Sequence, residues 1–404
     1  MKFTLLAGSA AFALPGAVRR SFSLAMPLPK RKRVILLLET HFNYGREILD
    51  GIAHYQHVHG AWECWFRPWM QTALPPNVSN WNGVIGRFRS SEDVLLFPPG
   101  MPLVNVSLGG SEAPSVPTIS PDEGAVGGAV AAAFRERGFR RFAAVGLAER
   151  RFATERIEGF VEAVNGFGLP SPPVFRYNQI IRHVEDNFVQ WLRVQPRPLG
   201  VFACNDVTGR EILEVLLKLG IRVPDEVAVI GVDNDLQVCS LSFPQLSSVR
   251  TNAPFIGYQA AEMLHRMMDD PAFAPPLRTR VPHLGIHHRL SSDIFAVDDP
   301  AVAKALGYIR DHLQQPIQVN DLARHAGVSR KTLELKFEKA LGSTPATEIR
   351  ARRVRRALEL LAATRLCMSD VAEKVGLRDQ SALSTLVRQH TGTTPAAYRK
   401  KHGS

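Results

Sequence analysis

Cysteine is scarce in this chain of 404 residues: Cys64, Cys204, Cys239 and Cys367 are scattered, and no two form a Cys-x-x-Cys pair. That spacing fits neither a disulfide framework nor a closed zinc site, and it suits a reducing cytosol, so the cytoplasm is the expected location. No run of about 20 apolar residues occurs, so no membrane-spanning helix is expected. There is no Gly-Lys-Ser/Thr phosphate loop, which argues against a kinase. The stretch GAVGGA (124–129) lacks the dinucleotide fingerprint and reads as a place for close helix packing. Histidines cluster in HYQHVH (54–59) and HLGIHH (283–288), but without the cysteines or carboxylates of a typical closed metal site. No metal and no cofactor is expected.

Acidic residues are scarce in one place only. From Ala301 onward there are 19 Lys and Arg against 9 Asp and Glu, an excess of ten out of the chain's eleven; the remainder holds 30 against 29. Such asymmetry signals nucleic acid or another anionic surface. Its densest point is RARRVRR (350–356), five arginines in seven positions.

The N-terminal MKFTLLAGSAAFALPG resembles a short signal peptide, but Arg19 and Arg20 follow the apolar run where a signal would be neutral. Translation from Met26 is the favoured reading, with residues 1–29 an extension or a disordered N-terminus.

Between residues 30 and 292, short apolar runs alternate with longer amphipathic ones. VILLL (34–38), GVIG (83–86), LVNVSL (103–108), FAAVGL (142–147), LGVFAC (199–204) and VAVIGV (227–232) read as strands covered on both faces. Helices are expected over 45–58, 124–137, 154–167, 184–194, 206–219 and 254–269. The alternation means α/β layers with parallel sheets, and the length favours two similar lobes with a cleft between them. A linker over 293–299 separates this region from an all-α one at 300–404.

The last region repeats itself. LARHAGVS (322–329) matches VAEKVGLR (371–378), with Ala323 and Ala372 each four residues before a glycine, and the units close on GSTP (342–345) and GTTP (392–395). A small alanine allows helices to approach and the glycine supplies the turn. Two helix-turn-helix units follow, joined by a helix over 345–362 whose Val354, Ala357, Leu358 and Leu361 form one buried stripe. Arg352, Arg353, Arg355 and Arg356 flank that stripe; a solvated helix face is the plain alternative, and some of them are expected to clamp DNA phosphates. In the second helix of unit one, Ser329 is the N-cap, and Leu333, Phe337 and Leu341 are buried. Arg330, Lys331 and Glu334, with Leu335 beside them, face outward, where arginine and lysine suit guanine and a carboxylate suits cytosine. Unit two buries Leu383, Leu386 and Val387 and presents Arg378, Gln380, Ser381, Thr385 and Arg388.

On these residues, 300–402 resembles the AraC-type DNA-binding domain, which implies that both recognition helices enter successive major-groove segments of double-stranded operator DNA. The chain departs from that family at Gly376-Leu377, where Gly-Phe is common, and at Leu383 and Val387, where aromatics are typical.

In 198–250, one strand ends at Asn205-Asp206 and another at Asp233. Strand ends are where open α/β sheets bind ligands, and short carboxylates and amides suit adjacent hydroxyls. Helix capping by Asp206 would need no ligand. Residues 33–290 resemble the periplasmic-binding-protein-like sensor of the lac-repressor family, with LGIRVPDEVAVIGVDN the most specific stretch. The resemblance implies sugar contacts by Asn205, Asp206, Asp233 and Arg156, stacking by Phe152, and cleft lining by His41, Asn43 and Tyr44. Taken from about Lys30, the chain resembles the bacterial xylose operon regulators. That implies a small sugar effector, D-xylose or a related aldopentose, whose binding closes the lobes and re-orients a homodimer on its operator, with RNA polymerase a possible further partner. An enzyme with Cys204 as nucleophile is the remote alternative, because Asn-Asp follows that cysteine and not a nucleophile elbow. A regulator sensing another metabolite, or none, is the nearer one.

Overall fold

The computed structural model describes residues 31–60, 62–67, 74–109, 115–178, 186–294, 297 and 299–402, so the expectation for 1–29 falls outside it. The first lobe begins with β1 (Arg33–Leu37), α1 (Asn43–His59), β2 (Glu63–Phe66), β3 (Gly83–Gly86), α2 (Ser91–Val94), β4 (Leu103–Asn105) and β5 (Thr118–Pro121). The chain then crosses to a second lobe. There it builds α3 (Glu123–Glu136), β6 (Phe142–Leu147), α4 (Arg151–Gly166), β7 (Val174–Tyr177) and α5 (Asp186–Arg193). That lobe continues through β8 (Leu199–Ala203), α6 (Asp206–Lys218), β9 (Val227–Val232), α7 (Leu236–Leu241) and β10 (Ser247–Val249). α8 (Ala253–Asp269) and β11 (Arg278–Val281) return to the first lobe, and β12 (Ile286–His287) to the second. The sheets run β11-β5-β4-β3-β1-β2 and β12-β10-β9-β8-β6-β7. Every pairing is parallel except β10 with β12.

Strands buried on both faces are the ones apolar runs reveal: all six residues of β9 and all four of β3 are buried. The short strands β2 (ECWF) and β11 (RTRV) sit at sheet edges with half-exposed faces and carry no such run.

Paired helices in each lobe pack through glycines. A Cβ on Gly51 would lie 1.9 Å from Pro254 O, and one on Gly257 2.1 Å from Ile48 O, so α1 and α8 touch backbone to backbone. In the second lobe Gly127 would meet Arg156 O at 1.9 Å and Gly159 would meet Gly124 O at 2.2 Å. The GAVGGA stretch therefore serves helix contact, and it draws the N-terminal turn of α3 against α4.

After the linker come α9 (Pro300–Asp311), α10 (Val319–Ala326), α11 (Arg330–Leu341), α12 (Pro345–Ala363), α13 (Met368–Lys374), α14 (Gln380–Thr391) and α15 (Pro395–His402). Two small cores form. Leu322, Ala323, Leu333 and Phe337 pack with Val302, Leu306 and Ile309 of α9; Val371, Ala372, Leu383 and Val387 pack with Ala357 and Leu361 of α12. The repeat glycines take matching left-handed turns, Gly327 at φ 71° and Gly376 at φ 69°. Ser329 caps α11 by accepting from Thr332 N at 3.1 Å, and Asp379 caps α14 by accepting from Ala382 N at 2.9 Å.

Candidate ligand cavity and nucleic-acid interface

Between the lobes, at the C-terminal ends of the parallel strands, lies a cavity of about 520 Å³. The size suits a small molecule. Its first-lobe wall holds Glu39, His41, Phe42, Tyr44, Arg87 and Arg89; its second-lobe wall holds Glu123, Phe152, Arg156, Asn178, Asn205 and Asp233.

Arg156 is the hub. It is 3% exposed, yet each of its nitrogens is used: Nε donates to Glu123 Oε2 at 2.6 Å, Nη1 to Cys204 O at 2.7 Å, and Nη2 to Asp233 Oδ1 at 3.3 Å. Its guanidinium lies 5.0 Å from the Phe152 ring centre. Burial opposes that charge, but Glu123 and Asp233 outweigh it and hold Arg156 above its ordinary pKa. Burial pushes the Glu123 carboxyl up to about 7 in spite of Arg156.

Asp233 and Asn234 occupy φ 99° and 48°, two successive non-glycine residues in left-handed conformations. Such strain persists only where its surroundings hold it, and it concentrates at functional sites. Here Asp233 N donates to Val249 O at 3.0 Å and Asn234 N to Ser248 Oγ at 2.9 Å. The lobes meet beside the cavity. Phe152 N donates to Leu108 O at 3.0 Å, Arg46 pairs with Asp235 at 3.2 Å, and Asn43 Nδ2 reaches Asp233 O at 3.5 Å.

Of the eight expected ligand contacts, Asp233, Asn205, Arg156, Phe152, Tyr44 and His41 line the cavity. Tyr44 offers its ring only, because its hydroxyl donates to Val106 O at 2.7 Å. Asn43 lies at the lobe seam, donating to Glu47 at 3.0 Å. Asp206 lies apart from the cavity lining. It is 2% exposed and sits behind the wall, accepting from Asp235 N at 2.7 Å and from Ser248 Oγ. Burial, with Asp233 nearby, pushes its carboxyl up to about 8. Nor is it the helix cap: Asn205 accepts from Thr208 N at 2.8 Å. The reading missed Glu39, Arg87, Arg89, Glu123 and Asn178. Glu39, Arg87 and Glu123 each follow a strand end closely, so the rule that found Asp233 could have found them. Glu39 accepts from Arg87 at 2.6 Å and also binds Arg89.

Cys204 is unsuited to attack: it is fully buried, its thiol is pushed up by that burial, and its sulfur lies 3.6 Å from Thr208 Oγ1. Among the described residues no group of three metal-binding side chains converges. The HYQHVH histidines serve packing: His59 Nε2 bonds Tyr258 OH at 2.9 Å and His54 lies against the same ring.

In the reader, Arg330 and Lys331 are exposed on the first turn of α11, and Arg330 pairs with Glu334 at 2.9 Å. Leu335, 64% exposed, extends that face. Arg378, Gln380, Ser381, Thr385 and Arg388 are all exposed at or on α14. The linker-helix arginines also have partners within the chain. Arg352 is 4% exposed and faces Asp293, the first linker residue after the sensor, with Arg355 on the same carboxylate. Arg353 donates to Gln315 O at 2.9 Å, and Arg356 pairs with Glu359 at 3.1 Å. The helix lies in a joint, and Arg352 is the one of the four that is buried there. Arg350, which binds Gln389, is the exposed one among the five.

Two family models match: a periplasmic binding protein-like domain over residues 131–292 and a helix-turn-helix domain over 322–401. The chain is similar to the xylose operon regulatory protein of Escherichia coli (strain K12), 31% identical over 92% of this chain and 97% of that protein. It is also similar to the one of Haemophilus influenzae, 26% identical over 91% and 98%. Among solved structures it resembles the xylose-binding transcription activator xylR at 30% identity and TM-score 0.70, covering 93% of this chain and all of that one. A LacI-type regulator from Alkaliphilus metalliredigens in complex with D-xylulofuranose shares the sensor fold: TM-score 0.52, 17% identity, 65% of this chain and 99% of that one.

Proposed function

This chain belongs to the xylose operon regulatory proteins, and from that premise we propose that it binds D-xylose or a related aldopentose between its lobes and so alters its grip on operator DNA. The observation that carries the effector reading is the constellation of Arg156 from α4 with the strand-end Asn205 and Asp233 on the wall of the interlobe cavity. Asp233 accepts from adjacent hydroxyls, Asn205 can donate through its free amide nitrogen, and Phe152 or Phe42 covers an apolar sugar face. The opposite wall, with Arg87 and Arg89 on Glu39, supplies donors and acceptors to the other edge of the ring.

Sugar that touches both walls favours the approximated lobes, and only this difference in affinity between states can move the DNA equilibrium. The two recognition helices read DNA through Arg330, Lys331 and Glu334 in one unit and Arg378, Gln380, Ser381, Thr385 and Arg388 in the other. The protein acts by binding, not by catalysis, as a cytoplasmic homodimer, and RNA polymerase is its partner if it activates. No described helix is long and apolar enough to cross a membrane.

Calorimetric titration with D-xylose, L-arabinose, D-ribose and D-glucose tests the effector. Saturable heat with D-xylose that disappears in Asp233→Ala supports the reading. Silence across the panel from folded protein removes it and leaves a regulator of another metabolite.

A further inference from the structure

Behind the cavity wall runs a chain of buried polar contacts that sugar binding itself does not use. The strained Asp233-Asn234 turn is held from behind by Arg289, whose Nη2 donates to Asn234 Oδ1 at 2.8 Å. Arg289 is itself buried and fastened: Nη1 donates to Leu246 O at 2.9 Å and its backbone N–H to Ser247 Oγ at 2.7 Å. Just beyond it, Ser291 Oγ donates to Val229 O at 2.6 Å and Ser292 Oγ to Ser247 Oγ at 2.8 Å, with both serines fully buried. The next residue, Asp293, leaves this frame and meets α12.

There its carboxylate takes Arg355, while Arg352 Nη1 stands 3.4 Å from its carbonyl oxygen and 3.9 Å from Oδ2. Arg352 is 4% exposed, and its Nε has no partner. A buried guanidinium so loosely matched is poorly compensated, so this contact is held weakly. α12 packs against both helix-turn-helix cores, so its position sets how the two units face DNA. A separate ion pair, Asp225 with Arg310 of α9, ties the same lobe to the reader.

We propose that Arg289 and Asp293 couple the ligand cavity to the reader: ligand-dependent movement of the Asp233-Asn234 turn passes through Arg289 to Asp293 and changes its hold on Arg352 and Arg355. The proposal rests on the sugar-sensing reading above. Four peptide units separate Arg289 from Asp293, and buried hydrogen bonds brace each turn of that short path, so displacement at one end reaches the other.

The test is amide hydrogen exchange of residues 345–363 in the full chain, with and without saturating D-xylose, alongside calorimetry. In the wild type, sugar changes exchange over 345–363. Asp293→Asn leaves sugar affinity within about twofold, as expected for a site remote from the cavity, and abolishes that change. Asp293→Glu, which keeps a carboxylate for both arginines, retains it. A wild-type-sized change in Asp293→Asn overturns the coupling alone, as does a wild type that binds sugar while 345–363 stays silent. Absence of D-xylose heat in the wild type fails the sugar reading, and the coupling falls with it.

Discussion

Arg156 Nε lies 2.6 Å from Glu123 Oε2, and each of the two side chains is 3% exposed. The pair joins the first residue of α3 to α4, and those helices can approach so closely because Gly127 and Gly159 leave no Cβ between them. Helix packing and cavity chemistry are thus one feature.

Arg156→Ala would leave Glu123 buried without its cation. Breaking such a pair costs roughly 3–5 kcal/mol. Scanning calorimetry should show a lowered sensor transition, with the reader unchanged, and sugar heat should be lost. A transition unmoved from wild type would mean that the pair contributes little to folding.

Glu123 and Asp206 are pushed up by burial from ordinary values of 4.5 and 3.8 to about 7 and about 8. The folded chain therefore keeps protons that the unfolded chain has released, and stability falls as pH rises through that window. The depressed histidines contribute mainly below their ordinary value of 6.5, so the carboxyl effect is best resolved between about pH 7 and 8. Chemical denaturation across that interval should show decreasing stability in the wild type and a flatter profile in Asp206→Asn.

His288 behaves oppositely. Burial first, then Arg137 and Arg355, push it down to about 3. The unfolded chain takes up its proton near pH 6.5 while the folded one does not, so this histidine costs stability as pH falls from 6.5 towards 3. His288→Gln should lessen the loss on acidification; an identical acid profile would contradict the assignment.

The repeat glycines should not be equivalent. An alanine at Gly327 meets nothing within 4 Å and bears only the left-handed strain, about 1 kcal/mol. At Gly376 the new Cβ would also lie 2.5 Å from Leu313 O and 2.8 Å from Gln315 O. Thermal unfolding should place Gly376→Ala well below Gly327→Ala. Equal losses would show that unit two yields at that turn.

On duplex DNA of unrelated sequence, Arg388→Ala should reduce the salt slope of binding by about 1, the change expected when one phosphate contact is lost. Arg352→Ala should leave the slope unaltered, because that arginine is buried against Asp293. Anisotropy titrations over a salt series distinguish the two, and a lower slope for Arg352→Ala would return the linker helix to the DNA.

Much of this molecule was legible in its residue order, because the signals are local. β9 is apolar throughout since both faces are covered, and Ala323 with Gly327, then Ala372 with Gly376, mark two left-handed turns. Asp233 was legible from its place after a strand. Glu39, Arg87 and Glu123 obey the same rule but stand among other charges, and nothing local says which of them turn inward.

Residue order alone thus determined the two-lobed α/β sensor, the duplicated helical reader and the strand ends that line the cavity, since hydrophobic period, turn chemistry and capping act within a few residues. Tertiary structure alone decided where the charges go. Arg352 and Arg355 have the sequence of a phosphate clamp, yet they close on Asp293, and Asp206 has the sequence of a ligand contact, yet it turns to Ser248. The reason is that desolvation and ion pairing depend on groups brought together from far along the chain, and no local pattern records which partner arrives.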